Sequence, residues 1–148
     1  MPVEIEHKYL VTDNSYRGMA TGKVAIRQGY LNRSPDRTVR IRTLGDKGYL
    51  TVKGRNHGDY RKEFEYEIPY EEAEEILSLA EPGIIEKTRY LIPYDGLLWE
   101  VDEFQGSLNG VVVAEVELPA TGIEYKKPPF IGEDISGNPA YYNSNLKI

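Results

Sequence analysis

A chain of 148 residues with 24 acidic and 18 basic side chains has a net charge of −6, which argues against non-specific binding to nucleic acid or to anionic membranes. Hydrophobic residues make up 40% of the sequence, enough for the core of one domain, and no apolar run reaches signal-peptide or membrane-spanning length, so we expect a cytoplasmic protein. The absence of cysteine excludes thiol catalysis and disulfides, and two histidines disfavour a zinc site.

Alternation of apolar and polar side chains predicts eight β-strands, because successive residues of a strand face opposite sides of a sheet. Short segments rich in Gly, Pro, Asn and Asp separate them, which is typical of turns between antiparallel strands. We predict strands over Val3–Val11, Val24–Leu31, Thr38–Leu44, Tyr49–Gly54, Arg61–Ile68, Ile84–Ile92, Leu97–Phe104 and Val111–Leu118.

Helical patterns are few in this sequence. In the linker after the first strand, Gly18 and Gly22 disfavour a long helix. The segment Tyr70–Ala80 has glutamates at its start and an apolar stripe at helical spacing, and a Pro-Gly pair follows it. We therefore predict one clear helix over Tyr70–Ala80.

The tail beyond the last predicted strand has no periodic pattern, so we expect irregular chain as far as Asp134. A short helix is predicted over Pro139–Leu146, with Asn138 as its cap. The expected fold is a single domain over residues 1–148, mainly β within the α+β class, with about eight antiparallel strands and a few flanking helices.

Several predicted strands carry charges of one sign along a single face. Glu4 and Glu6 share a face with Lys8, and Arg40 and Arg42 share a face of a later strand. Surface strands usually mix the signs of charge, because like charges on neighbouring strands repel. The same pattern recurs at Lys53, Glu63 with Glu65, Lys87 with Arg89, Glu100 with Asp102, and Glu115 with Glu117.

Each charged face alone would fit an ordinary solvent-exposed surface, but so many need another explanation. Acidic strands could pair with basic neighbours, or a ligand could require both kinds of group. A phosphate chain bridged by a hard divalent ion, such as Mg²⁺, Mn²⁺ or Ca²⁺, is such a ligand, because bases bind phosphate oxygens and carboxylates bind the metal. A sheet closed into a barrel, with charges inward and apolar residues outward, would collect these groups around one lumen.

Short motifs stand in order along the chain, beginning with E-I-E-H-K at residues 4–8. The later motifs are Gln28-Gly29-Tyr30, Arg40-Ile41-Arg42, Lys53, Lys87-Thr88-Arg89, Trp99 to Phe104, Ala114 to Leu118, Asp134 to Asn138 and Asn143 to Leu146. Over essentially the whole chain this ordered set resembles the CYTH superfamily, the triphosphate tunnel metalloenzymes, whose N-terminal signature is ExExK.

The resemblance implies a closed eight-stranded antiparallel β tunnel that hydrolyses or cyclises a linear triphosphate with Mg²⁺ or Mn²⁺. The implied hydrolysis is in-line attack on the terminal phosphoryl group by a metal-activated water. By matching position, the implied metal ligands are Glu4, Glu6, Glu115 and Glu117, helped by Glu63, Glu65 and Asp102. The implied phosphate-binding residues are Lys8, Arg40, Arg42, Lys53, Lys87 and Arg89. The implied catalytic residues are Lys8, Tyr30 and Lys87.

The substrate is a small-molecule triphosphate on this interpretation, handled by a monomer or a homodimer. The compact length favours the small bacterial type, which converts inorganic tripolyphosphate to pyrophosphate and phosphate. Nucleoside or thiamine triphosphatases and adenylyl cyclases are the alternatives within the family. Outside it, the chain could be a module that binds polyphosphate or a nucleotide without turnover, although simple anion capture gains nothing from carboxylates.

Other side chains that often act in functional sites have ordinary interpretations here. His7 falls on the apolar face of its strand and is expected to pack there, whereas His57 lies in a turn and is expected to be exposed. Trp99 is expected in the core, where its indole N–H needs an acceptor.

Overall fold

The computed structural model describes residues 3–141, and this range contains nine β-strands, two α-helices and two short 3₁₀ turns. No helix in this range is long and apolar enough to cross a membrane. The helices are α1 (Tyr16–Met19) and α2 (Tyr70–Leu77), and the 3₁₀ turns are Gly106–Leu108 and Pro139–Tyr141. The strands are β1 (Val3–Val11), β2 (Gly22–Asn32), β3 (Arg37–Leu44), β4 (Lys47–Gly54), β5 (Tyr60–Ile68), β6 (Ile85–Tyr94), β7 (Leu97–Phe104), β8 (Val112–Glu117) and β9 (Ile131–Asp134).

Eight of these strands close into an antiparallel barrel in the order β5-β4-β3-β2-β6-β7-β8-β1, and β1 pairs again with β5. β1 closes the barrel by changing partners: residues 3–5 pair with β5, whereas residues 6–10 pair with β8. The predicted closed eight-stranded antiparallel architecture is therefore confirmed. The observed strand ends differ from the predicted ones by no more than two residues.

The ninth strand, β9, corrects the prediction of irregular chain as far as Asp134. Because β5 leaves β1 after Ile5, the backbone of β1 has a free edge beyond that point. β9 occupies this edge, with Tyr9 opposite Asp134 and Val11 opposite Ile131. A strand of four residues carries too little alternation to be recognised in the sequence.

The helices also differ from prediction at their ends. α2 ends at Leu77 rather than Ala80, and the residues after it form single turns. At the C-terminal turn, Asn138 Oδ1 accepts the backbone N–H of Ala140 at 3.1 Å, as expected of a cap. The remainder of the helix predicted there, and the motif from Asn143 to Leu146, lie outside the described residues.

α2 lies flat against β3 and β4 because its apolar stripe meets a glycine. Ala73 and Leu77 pack on Ile41 of β3 in one buried cluster. A Cβ on Gly48 of β4 would lie only 2.6 Å from the Ala73 Cβ, so no larger residue fits without moving the helix. The helix thus covers the outer apolar face of this side of the barrel.

The main core lies outside the barrel wall rather than within it. Outward-facing residues of β1, β6, β7 and β8 pack against α1 and the segment after β8. Trp99 is fully buried in this core, as predicted, but its indole N–H has no acceptor among residues 3–141. The buried members of the core are Tyr9, Tyr16, Ile92, Trp99, Val101, Ala114, Val116, Leu118 and Phe130.

A smaller apolar cluster fills one end of the lumen. Leu10 follows Lys8 on the inward face of β1, and Phe104 follows the inward charges of β7. Ile135, just after β9, joins them, and its N–H donates to the carbonyl of Lys8 at 2.9 Å. Within the described residues, apolar side chains therefore follow the charged ones at this end of the lumen.

Candidate active site

The charged faces of the barrel strands converge on one cavity of about 220 Å³. All eight barrel strands contribute to its wall, because the strand alternation turns each charged face inward. The wall residues are Glu4, Glu6, Lys8, Tyr30, Thr38, Arg40, Arg42, Lys53, Asn56, Gly58, Asp59, Arg61, Glu63, Glu65, Arg89, Glu100, Glu115, Glu117, Ser136 and Gly137.

All of the predicted site residues line this cavity except Lys87 and Asp102. These two form an ion pair, with Lys87 Nζ 2.8 Å from Asp102 Oδ2, and each is only 1% exposed. The Lys87 ammonium also lies 5.3 Å from the centre of the Phe104 ring, in the apolar end of the lumen. The pair therefore sits behind the cavity wall rather than on it.

Asp102 holds Arg89 as well as Lys87. Its two oxygens accept from Arg89 Nε at 2.8 Å and Nη2 at 2.9 Å. Although burial opposes ionisation, Arg89 and Lys87 hold the pKa of Asp102 well below its usual range. Burial lowers the pKa of Lys87 to about 8, against the attraction of Asp102. Asp102 is thus a fixed anion that orients Arg89 toward the cavity.

Several wall charges do pair across strands. Lys53 contacts Glu4 at 3.0 Å and Glu63 at 3.3 Å. Arg40 and Arg42 share one oxygen of Glu65, at 3.4 and 3.2 Å. Two further pairs are Lys8 with Glu115 at 3.5 Å and Arg89 with Glu100 at 3.3 Å.

Among the described residues, two carboxylates where β1 meets β8 have no such ion pair. Glu6 and Glu117 stand directly opposite each other, and the Glu6 carboxylate makes no hydrogen bond or ion pair within residues 3–141. Burial, followed by the charges of Glu115 and Glu4, raises the pKa of Glu6 well above its usual value. Burial and the charge of Glu4 likewise raise the pKa of Glu117. On this side of the lumen the carboxylates outnumber the nearby bases, Lys8 and Lys53.

Such a set of carboxylates fits a hard divalent cation by its chemistry, because the cation would remove the repulsion among them. Glu115 is already ionised: although burial opposes it, Lys8 and Arg89 lower its pKa to about 2. No three acidic or histidine side chains in the described range are close enough to hold an ion as they stand. The carboxylates are suitable ligands for a metal ion, but they would have to move closer together to bind it.

The opposite wall has an excess of positive charge. Burial and repulsion by Arg40 and Arg89 lower the pKa of Arg42 to about 10, so the guanidinium remains charged at neutral pH. The Nε–H groups of Arg40 and Arg42 are buried and have no acceptor among residues 3–141. Buried donors without acceptors are rare, because each costs about 1–3 kcal/mol. These two donors indicate an anionic ligand.

Lys8 and Tyr30 lie at the inner end of the cavity. Burial opposes the charge on Lys8, but Glu115, Glu6 and Tyr30 together raise its pKa, so it stays protonated. Its Nζ also donates to the carbonyl of Tyr141 at 3.4 Å. Tyr30 is 3% exposed, and its hydroxyl accepts from Gln28 Nε2 at 3.4 Å.

Part of the cavity wall was not predicted from the sequence. Arg61 lies two residues before Glu63, so strand alternation could have assigned it as a site residue. Glu100 was predicted on the same inward face as Asp102, but it was not among the implied metal ligands. The loop between β4 and β5 and the segment after β9 also reach the cavity, and no periodic signal in the sequence marks them.

Comparisons with known proteins agree with this geometry. The sequence matches the CYTH domain over residues 2–144. It is 50% identical over 147 residues to an inorganic triphosphatase of Acetivibrio thermocellus, covering 99% of this chain and 94% of that one. It is 33% identical over 150 residues to an inorganic triphosphatase of Nitrosomonas europaea, covering 98% and 97%.

Solved structures show the same fold. A crystal structure of an inorganic triphosphatase superposes with a TM-score of 0.66 at 31% identity, over 97% of this chain and 93% of that one. A conserved protein of Pyrococcus furiosus superposes with a TM-score of 0.63 over 80% of each chain. Its identity of 20% supports the fold alone.

Proposed function

The chain belongs to the CYTH domain family, and from this premise we propose that it hydrolyses inorganic tripolyphosphate to pyrophosphate and phosphate. The observation that carries the proposal is the polarity of the lumen. The buried Nε–H donors of Arg40 and Arg42 lack acceptors among residues 3–141, while Glu6 and Glu117 repel each other on the other side. A triphosphate with a divalent cation needs both walls, because bases bind the phosphate oxygens and carboxylates bind the cation.

The cationic wall binds the phosphate oxygens on this proposal. Arg40 and Arg42 donate through the groups that lack acceptors, and Arg89 is held in place by Asp102. Lys53 and Lys8 add positive charge at two other points of the wall. Lys87 contributes indirectly, because its ammonium pairs with the carboxylate that orients Arg89.

The acidic wall would hold the metal, Mg²⁺ or Mn²⁺, through Glu4, Glu6, Glu115 and Glu117. When bound, the metal would supply positive charge for the phosphates and a water of lowered pKa. Glu63 and Glu65 are already paired with Lys53 and Arg42, and they would assist only secondarily. Asp102 is the least suited ligand, because Lys87 and Arg89 already occupy both of its oxygens.

In the proposed reaction, water attacks the terminal phosphorus while the bond to the bridging oxygen breaks, and pyrophosphate leaves. Negative charge grows on the leaving oxygen and stays high on the transferred group. Lys8 and the arginines lower the barrier because they are already fixed around that charge by Glu115, Glu65 and Asp102. We place the reaction in the cytoplasm, by a monomer or homodimer.

Tripolyphosphate is expected to release phosphate faster than ATP, thiamine triphosphate or pyrophosphate, with Mg²⁺ and Mn²⁺ tested in turn. The reason is the wall of the cavity, where the described residues include no aliphatic side chain and Tyr30 is the single aromatic one. A nucleobase or thiamine ring would find little apolar surface there. The measurement is a phosphate-release assay over this substrate panel.

The same panel discriminates the alternatives. Equal or faster turnover of ATP, or production of cyclic AMP, would contradict the choice of substrate and leave the fold untouched. Tight binding of tripolyphosphate without phosphate release under any metal would contradict an enzyme and favour a binding module.

A further inference from the structure

A chain of hydrogen bonds on the outer face of β1 ties this strand to a loop of the cavity wall. Tyr9 and Tyr125 hydroxyls lie 2.5 Å apart, and the Tyr125 hydroxyl lies 2.6 Å from His7 Nδ1. His7 Nε2 lies 3.0 Å from Asp59 Oδ2. Asp59 belongs to residues 55–59, the segment between β4 and β5, which we call the 55–59 loop.

The Asp59 carboxylate at one end of this chain sets the direction of its hydrogen bond to His7. A carboxylate only accepts, so Nε2 of His7 must donate to Asp59. With a hydrogen on Nε2, Nδ1 is free to accept from the Tyr125 hydroxyl, which also shares a hydrogen bond with Tyr9. Burial and the Tyr9 hydroxyl raise the pKa of Tyr125, so it keeps the proton that it donates. Both ring nitrogens of His7 and both tyrosine hydroxyls therefore take part in the chain.

Asp59 is fastened to β1 a second time through its backbone. Its carbonyl oxygen accepts the N–H of Glu6 at 3.1 Å, one step beyond the last β1–β5 pair, Ile5 with Tyr60. Beyond this step β1 pairs with β8 and β9 instead. The loop is thus held at the point where the β1–β5 seam of the barrel ends.

The 55–59 loop is part of the cavity, because Asn56, Gly58 and Asp59 line it. Gly58 has a φ of +66°, a left-handed conformation that glycine adopts without strain, so the backbone beside Asp59 can also take other conformations readily. The bond to His7 turns the Asp59 carboxylate toward the outer face of β1. Without the bond to His7, the Asp59 carboxylate could turn into the lumen, where Glu4 and Glu6 already add negative charge.

We propose that His7 is a positioning residue, which holds the 55–59 loop as a wall of the lumen and keeps the Asp59 carboxylate away from the bound triphosphate. The effect on substrate rests on the proposed triphosphatase function, whereas the contact between His7 and Asp59 does not. His7 does not itself line the cavity; it contacts Asp59, which does, and it acts through that residue. Its effect is on substrate binding rather than on the chemical step.

The decisive variant is His7→Phe, which keeps a ring of similar size and removes both nitrogens. We expect the KM for tripolyphosphate to rise about tenfold, the scale of one lost charge-assisted hydrogen bond, while kcat at saturation changes little. Asp59→Asn in the wild-type background keeps an acceptor for Nε2 and supplies the reference KM against which the double variant is compared. Added to His7→Phe, the same change removes the loose charge and should recover part of the lost affinity.

A second readout needs neither metal nor substrate. Hydrogen exchange at the Glu6 amide reports its bond to Asp59, and it should accelerate in His7→Phe and in Asp59→Leu. The matched control is His57→Phe, since His57 is an exposed histidine of the same loop and should leave both exchange and KM unchanged.

The outcomes separate this inference from the proposed function. Unchanged exchange in both His7→Phe and Asp59→Leu overturns the positioning role, whatever the activity. Faster exchange with an unchanged KM overturns its effect on substrate. If the wild type does not hydrolyse tripolyphosphate, the proposed function fails, and the exchange comparison still decides whether His7 holds the loop.

Discussion

Glu6→Gln is expected to lose activity by about 100-fold or more at a fixed Mg²⁺ concentration. The substitution keeps the shape of the side chain and removes the charge that lacks a partner in the described range. A neutral amide is a poor ligand for a hard divalent ion, so the metal requirement should shift to higher concentration. The measurement is a titration of phosphate release with Mg²⁺ and with Mn²⁺, beside the wild type.

The same variant should be more stable than the wild type without metal at neutral pH. The folded state raises the pKa of Glu6, so its ionised form destabilises the fold above that pKa. This cost decreases as pH falls from the raised pKa toward the unfolded-state pKa, and it is absent below the latter, where both states bind the proton. The gain in Tm of Glu6→Gln should therefore shrink on acidification, and Mg²⁺ should raise the Tm of the wild type more than that of the variant.

Glu72→Gln is the matched control, since Glu72 is exposed on α2, on the outside of the barrel. It should leave activity and metal dependence unchanged and lower the Tm only slightly, because Glu72 lies in the first turn of α2, where a negative charge stabilises the helix. Near-normal turnover of Glu6→Gln with an unaltered metal titration would mean that Glu6 is not a metal ligand.

Arg42→Ala is expected to lower kcat/KM for tripolyphosphate by about 100-fold, the scale of removing one fixed donor to a developing negative charge. Its guanidinium has an unsatisfied Nε–H and shares Glu65 with Arg40. Repulsion from Arg40 and Arg89 opposes its charge in the ligand-free protein. The ligand-free Tm of the variant should therefore stay the same or rise. Steady-state kinetics and thermal unfolding measure the two effects.

Arg37→Ala provides the comparison within the same strand, because Arg37 is exposed and lies on the opposite face of β3. It should leave kcat/KM within about twofold of the wild type. A fall of many degrees in the ligand-free Tm of Arg42→Ala would instead assign Arg42 a structural role. Tripolyphosphate with metal should raise the Tm of the wild type and of Arg37→Ala, but much less that of Arg42→Ala.

The alternation of residues in the sequence determined which charges face the lumen. Period-two patterns are local, so they identified the strands and gave Arg40 and Arg42 a common face before any pairing was known. The same alternation gave Glu4 and Glu6 a common face on the first strand. Closure of the sheet was predictable too, because single-sign faces are stable only where opposite charges or a ligand can reach them.

Only the tertiary structure decided how deep each charge lies and what it contacts. Lys87 shares a strand face with Arg89, yet the apolar end of the lumen buries it behind the wall. The bond between His7 and Asp59 joins residues 52 positions apart and depends on where β1 leaves β5. Strand order, register and closure set these distances, and they arise from long-range packing that no local pattern of residues records.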